Sequence, residues 1–492
     1  MTTTGKVYKK AAILILLRGF PIRYVRRGFQ MIAKIREYKQ PTTLYRGTFI
    51  HTPVPGSLEV IEHGIAGVDE DGAITLLETG KSVDEVIEQY GLQGVDVVDI
   101  DGGNRFFFPG FVDTHIHAPQ YPNNGIFGNS TLLDWLTTYT FPLEASFKNL
   151  DKAKLVYDKV IERTLGNGTT CASYYATIDA DATNLLADLC LQHGQRAFVG
   201  KVCMNQNSPD YYIETLEESK CSTLSVINHI KKIDPENNLV APILTPRFAP
   251  SCTSELLHWL GKLKKEYGYH SQTHISENKN EIKWVHELFP ESDTYTDIYN
   301  DHDLLDDKTI LAHAIHLSDY EKDLIKKTGA GISHCPISNS AITSGECRVR
   351  WLLDNDIPVG LGTDVSGGFS PSILHVARQA ILVSRHLAMS TGLETDKLST
   401  EDVLYLATLG GAKLVGLKNR IGSFAIGKRW DVQLVDLDAP GSQVDVFEWQ
   451  VPQKLDVQNY KVKWHNVIAK WLFNGDDRNT TQVWVNGTSV KA

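Results

Sequence analysis

No two cysteines in this 492-residue chain stand in a C-x-x-C pair, and the seven present are scattered and odd in number. Such spacing supplies neither a disulfide framework nor a thiolate metal clamp, and it fits free thiols in a reducing compartment. Positive charge is in deficit. The net charge of −10 argues against nucleic acid as an obligate partner. The apolar run Ala11 to Leu17 is too short to span a bilayer, and no A-x-A cleavage pattern follows it closely. Without a secretion signal, Asn-x-Ser/Thr matches such as Asn129 and Asn167 read as chance. No internal repeat or low-complexity tract stands out.

Residues 1–40 are the exception to the acidic balance, with ten Lys or Arg and one acid, Glu37. A basic, acid-poor start of this kind is compatible with an untargeted tail, a mitochondrial transit segment or a helix lying on a membrane surface. The rest of the chain has ordinary apolar content and enough length for a barrel of ~250 residues beside a smaller domain.

The pattern along the chain changes twice. Leu44–Ile50, Ala73–Leu77 and the stretch Val95–Ile100 look like short strands set off by Pro53, Pro55, Gly56 and the turn Asp101-Gly102-Gly103. From Phe108 a strand–loop–helix rhythm takes over, with strand candidates at 110–117, 169–176, 197–203, 240–246, 270–274, 309–313, 329–334 and 357–364. Leu256, Leu260, Leu263 and Tyr267 recur at helical spacing, with Thr253 placed to cap and Gly268 to stop. The segments Ile421–Lys428, Asp431–Asp436 and Gln482–Gly487 return to β character. These features predict a (β/α)8 barrel over 109–419, a composite β-sandwich from 41–108 and 420–492, and a basic extension over 1–40.

His115-x-His117 is the most informative motif. Two imidazoles two residues apart on a strand face the same way. His274, His313 and Asp364 each end another predicted strand, and barrel enzymes build their sites at those strand ends. A single histidine there is more often structural; five such donors at equivalent places point to a metal site. The expected ligands are His115, His117, His274 and Asp364 around one Zn²⁺ per chain, although Fe²⁺ suits the same donors. A water completing the site has its pKa lowered toward ~7, and His313 is placed to orient it. Glu277, three residues after His274, is the expected proton shuttle, a role compatible with that of an acid in a helix first turn. P-C-x-x-C is missing, so the zinc deaminase architecture that pairs it with H-x-E does not apply.

These residues sit in longer motifs. Pro109-Gly110-Phe111-Val112-Asp113-Thr114-His115-Ile116-His117-Ala118-Pro119-Gln120, Leu133-Asp134-Trp135-Leu136, Phe141-Pro142-Leu143-Glu144, Pro246-Arg247-Phe248-Ala249-Pro250, Thr273-His274-Ile275-Ser276-Glu277 and Gly362-Thr363-Asp364-Val365 resemble the amidohydrolase superfamily and, within it, the guanine deaminase family. H-x-H alone marks the superfamily; its extension to Ala-Pro-Gln and the Arg-Phe-Ala-Pro motif are narrower. The resemblance spans roughly residues 44–490 and leaves out the basic start.

The resemblance implies hydrolysis of guanine to xanthine and ammonia and suggests a dimer, read as a homodimer; the free thiols fit a cytoplasmic location, which the basic start leaves open to a mitochondrial or membrane-surface one. The resemblance makes Gln120, Arg247 and Phe248 substrate contacts, beside His117, His274, Glu277 and Asp364. Arg247 can donate to a ring carbonyl, Gln120 can donate and accept, and Phe248 offers an apolar face or its backbone N–H. In the implied reaction water adds at C2, Glu277 protonates N3, Asp364 accepts the water's proton and His313 steadies the developing charge. Three other readings compete. Lys201, ending the third barrel strand, is similar in position to the carboxylated lysine that bridges two metals in binuclear relatives. Another aminated heterocycle could be the substrate, or the barrel could serve as a non-catalytic scaffold.

Overall fold

The computed structural model describes residues 39–126, 131–450 and 460–491, and Gln40–Ala492 make up one compact unit. The expectations for residues 1–38 lie outside the described residues. Five strands precede the first histidine pair: β1 (Thr43–His51), β2 (Glu59–Val68), β3 (Ile74–Thr79), β4 (Asp96–Asp99) and β5 (Arg105–Pro109). Three more come from the other end of the chain: β15 (Val432–Asp436), β16 (Thr480–Val485) and β17 (Thr488–Lys491). Together they form one hydrogen-bonded sheet in the order β17-β16-β15-β5-β1-β2-β3, with β4 on β1. The β domain expected from both chain ends is present, built as one mixed sheet. Its core stacks Tyr45 on Trp430 and packs Phe49, Phe107 and Trp484 around them.

Between these ends the chain winds a closed parallel barrel. Its strands are β6 (Phe111–His117), β7 (Thr169–Tyr175), β8 (Arg196–Gly200), β9 (Val202–Cys203), β10 (Val240–Pro246), β11 (His270–Ile275), β12 (Thr309–His313), β13 (Gly331–His334) and β14 (Val359–Leu361). The short β9 continues β8 along β10. Leu361 of β14 pairs with Asp113 of β6, and Ile243 of β10 pairs with His270 of β11, closing the ring. The eight expected strands are all present, and helices run between them as local chemistry dictates. The Ser254–Tyr267 helix starts where the Thr253 side chain accepts from Leu256 N–H, and it stops at Gly268 in a left-handed turn.

Ile421–Lys428 is a series of turns, contrary to its expected strand character. Gly422 and Gly427 take positive φ of 89° and 91°, and a β-carbon on Gly422 would meet Leu409 Cα at 2.9 Å. The C-terminal β region also contains an unforeseen helix, Tyr460–Asn474, whose Trp471 stacks on Phe111 at the start of β6. All seven cysteines are unpaired, and all but Cys221 are buried. Among the described residues, no helix is long and apolar enough to cross a membrane.

Candidate active site

Each candidate ligand reaches the barrel mouth from the end of its own strand. His115 and His117 share a face of β6, His274 is next to last in β11, His313 ends β12, and Asp364 follows β14. The turn into Asp364 depends on Gly362. A β-carbon there would lie 2.6 Å from Ser333 Oγ and 2.7 Å from His115 Cβ, so only glycine lets the segment lie against β6. The mouth is also where backbone strain gathers. Asp364, His313, Ala314 and Ser276 all hold positive φ, between 46° and 72°.

The side chains converge. His115 Nε2 and His117 Nε2 lie 3.2 and 3.4 Å from Asp364 Oδ1, and His117 Nε2 lies 3.3 Å from His274 Nε2. His115, His274, His313 and Asp364 each bring one ligand atom within 4.8 Å of the others. His313 therefore joins the cluster that could hold an ion, while His117 stands directly against two of its members. His313 Nε2 also lies 3.5 Å from Glu277 Oε2 and 3.8 Å from Asp364 Oδ2.

The donor chemistry suits a cation. His274 Nδ1 faces the Arg247 carbonyl oxygen at 2.6 Å; an oxygen that only accepts fixes the proton on Nδ1 and leaves Nε2 a bare lone pair. His313 Nδ1 lies 2.8 Å from Asn339 Oδ1. His313 Nε2 and both ring nitrogens of His115 are buried without a hydrogen-bond partner among the described residues. Burial holds His115 down to about 4, and burial with the neighbouring imidazoles takes His274 well below its ordinary value. Both rings are thus neutral at pH 7. Burial pushes Asp364 up, but His115 and His117 outweigh it and hold the carboxyl well below the usual range. The neutral His115 and His274 rings beside the ionised Asp364 make a ready set of donors for a borderline divalent ion.

Glu277 leaves the end of β11 into the same pocket and is 2% exposed. Burial pushes its carboxyl up to about 7, and Ser344 Oγ donates to it at 3.2 Å. A carboxyl poised near neutrality can both give and take a proton. Gln120, Arg247 and Phe248 line the same pocket, with Trp135, Leu136 and Ile342 as apolar wall. The structure thus brings the sequence-derived candidates together: all of them line this cavity except His115, which stands against Asp364.

Residues 106–490 match the amidohydrolase family. The chain belongs to the amidohydrolase family. Among its relatives, a Schizosaccharomyces pombe protein named probable guanine deaminase is 47% identical over 452 residues, covering 91% of this chain and 83% of that one. The guanine deaminase of Dictyostelium discoideum is 43% identical over 456 residues, with 91% and 98% covered. A solved guanine deaminase from C. acetobutylicum, with guanine bound in its active site, superposes with a TM-score of 0.80 at 33% identity, over 91% of this chain and 99% of that chain.

In this amidohydrolase barrel Lys201 is committed elsewhere. Its Nζ lies 2.6 Å from Glu214 Oε2, and both are buried. A lysine neutralising a buried carboxylate is a cation, whereas a metal-bridging carbamate is an anion. Two further residues of the site went unassigned in the sequence. Glu144 receives Arg247 Nη1 at 2.7 Å and Gln120 Nε2 at 2.8 Å, and Asn339 orients His313. Glu144 stands 103 positions from Arg247, and no local spacing connects them.

Proposed function

We propose that this chain hydrolyses guanine to xanthine and ammonia, using one Zn²⁺ held by His115, His117, His274 and Asp364, with Fe²⁺ able to occupy the same donors. The observation that carries this reading is the meeting, in one buried pocket, of the imidazole–carboxylate cluster, Glu277, and the paired Gln120 and Arg247. The guanine deaminase relatives, over nearly the whole chain, support the choice of substrate.

When bound, the ion supplies the Lewis acidity that makes water nucleophilic near neutral pH. The remaining work falls to the protein. Arg247 donates to the C6 carbonyl oxygen, Gln120 engages the adjacent ring edge, and Phe248 covers the ring. Glu277 gives its proton to N3 as a water oxygen adds to C2, and Asp364 accepts the proton that the water gives up. His313, between Glu277 and Asp364, steadies the developing charge. Glu277, now a carboxylate, takes the proton of the C2 hydroxyl as the C2=O bond forms and relays it to the amino group, which leaves as ammonia, and the proton held on Asp364 returns to Glu277.

The family resemblance extends the proposal to a homodimer, and the unpaired cysteines support action in a reducing compartment such as the cytoplasm. The test is purified protein with guanine, adenine and cytosine as separate substrates, the absorbance followed toward xanthine before and after chelation. Turnover of guanine that is lost on chelation and restored by Zn²⁺ supports the reading. Turnover of cytosine or adenine alone replaces guanine as the substrate.

A further inference from the structure

Glu144 is 1% exposed, and its carboxylate accepts from four donors. Arg247 Nη1 and Tyr212 Oη reach Oε2 at 2.7 Å each, while Gln120 Nε2 and Arg247 Nη2 reach Oε1 at 2.8 and 3.1 Å. A carboxylate has no proton to donate in this setting, so the group of Gln120 that faces it must be the amide NH₂. The backbone N–H of Ser366 approaches Gln120 Oε1 at 3.4 Å, from the other side, and demands the same orientation. Gln120 is therefore unable to exchange its two ends. Its carbonyl oxygen is thereby fixed in a pocket that Arg247, a side chain with donors only, also lines, and both side chains donate to the same oxygen of Glu144.

An acceptor held next to a donor matches one kind of purine edge. A lactam, N1–H beside C6=O, presents a donor and then an acceptor, as guanine does. An aminated edge, bare N1 beside C6–NH₂, presents the reverse, as 2,6-diaminopurine does. Both molecules carry the same reactive amino group at C2. We propose that Glu144 is a specificity-determining positioning residue: by fixing the order of the Gln120 amide and holding the Arg247 guanidinium, it restricts the pocket to purines with a lactam edge. The inference rests on the guanine reading and deepens it, since a free glutamine amide could turn to suit either edge.

The test compares kcat/KM for guanine and 2,6-diaminopurine in the metal-loaded full chain. Wild type should prefer guanine by ~100-fold or more, because a mismatched edge leaves buried polar groups unpaired. Glu144→Gln should raise KM for guanine and narrow the preference by ~10-fold, because the amide order is released. Loss of global stability alone would scale both substrates together and leave the ratio unchanged. Should Glu144→Gln fail to fold, Gln120→Ala, which keeps the Arg247–Glu144 pair, must narrow the same ratio. In a double variant the two effects should not add. Equal rates on both purines in wild type, or an unchanged ratio in either folded variant, overturns the inference while leaving guanine deamination standing. No turnover of guanine by wild type overturns the underlying reading instead.

Discussion

Asp113 ties His115 to Thr363: its carboxylate accepts from their backbone N–H groups at 3.2 and 3.1 Å, and from the Thr363 hydroxyl at 2.6 Å. The neighbouring Asp364 N–H donates to the His115 carbonyl at 2.8 Å. Two candidate ligands from opposite ends of the barrel sequence are thereby held in register by one buried side chain that touches neither ring nor substrate. Asp113→Ala removes the acceptor and leaves two buried N–H groups unmade, each worth ~1–3 kcal/mol. The expected result is a lower melting temperature together with reduced metal content. Asp113→Asn keeps an acceptor oxygen and should hold most of both. Full metal content in a folded Asp113→Ala protein would remove this residue from any part in building the site.

On the proposed reading, Glu277 separates metal binding from proton transfer. Its carboxyl lies 3.5 Å from His313 Nε2 without belonging to the cluster of ligand atoms that could enclose an ion. Glu277→Gln keeps size and polarity but deletes the proton. Metal content should stay at the wild-type level while kcat falls by ~10²–10⁴, the usual share of general acid–base catalysis. A metal-replete variant with near-normal kcat contradicts the proposed role.

The Lys201–Glu214 pair distinguishes one metal from two. Lys201→Met strands a carboxylate that is 9% exposed, at a cost of ~3–5 kcal/mol, the range for breaking a buried pair. On the one-metal reading the surviving folded fraction binds as much metal as wild type, one ion per chain. Elemental analysis finding two ions in wild type, and fewer in the variant, would restore Lys201 as a bridging ligand.

What could be read from the sequence followed from local periodicity. The barrel strands were legible because each is a short apolar run between capped helices, and Thr253 and Gly268 mark one such helix to the residue. The candidate metal donors were legible because strand ends share one rim in a barrel. Trp464, Val467, Ile468 and Trp471 repeat at helical spacing and are buried on one face, yet their setting among β segments hid the helix. Glu144 was beyond such reasoning. Its significance comes from meeting Gln120 and Arg247, and that meeting is set by tertiary packing alone. The strained backbone at His313 and Asp364 is invisible to composition for the same reason.

His270 begins β11, at the other end of the strand from His274, and offers a pH test away from the proposed chemistry. Its Nε2 is buried without a hydrogen-bond partner among the described residues, and burial, reinforced by the charges of Lys264 and Lys308, takes its pKa down to about 4. The unfolded chain binds this proton near 6.5, ahead of the folded one. His270 therefore stabilises the fold fully above pH 6.5, and its contribution is lost as pH falls from 6.5 toward 4. Asp113 and Glu277, both raised to about 7 by burial, act in the opposite direction, because the folded state takes up their protons first. The wild-type curve mixes these signs, so the informative quantity is the difference between His270→Asn and wild type. Stability of the variant relative to wild type should rise by up to ~2 kcal/mol between pH 6.5 and 5, from the linkage of one proton. Denaturant unfolding across that window reads the change directly, and a difference that stays flat with pH means His270 protonates equally in both states.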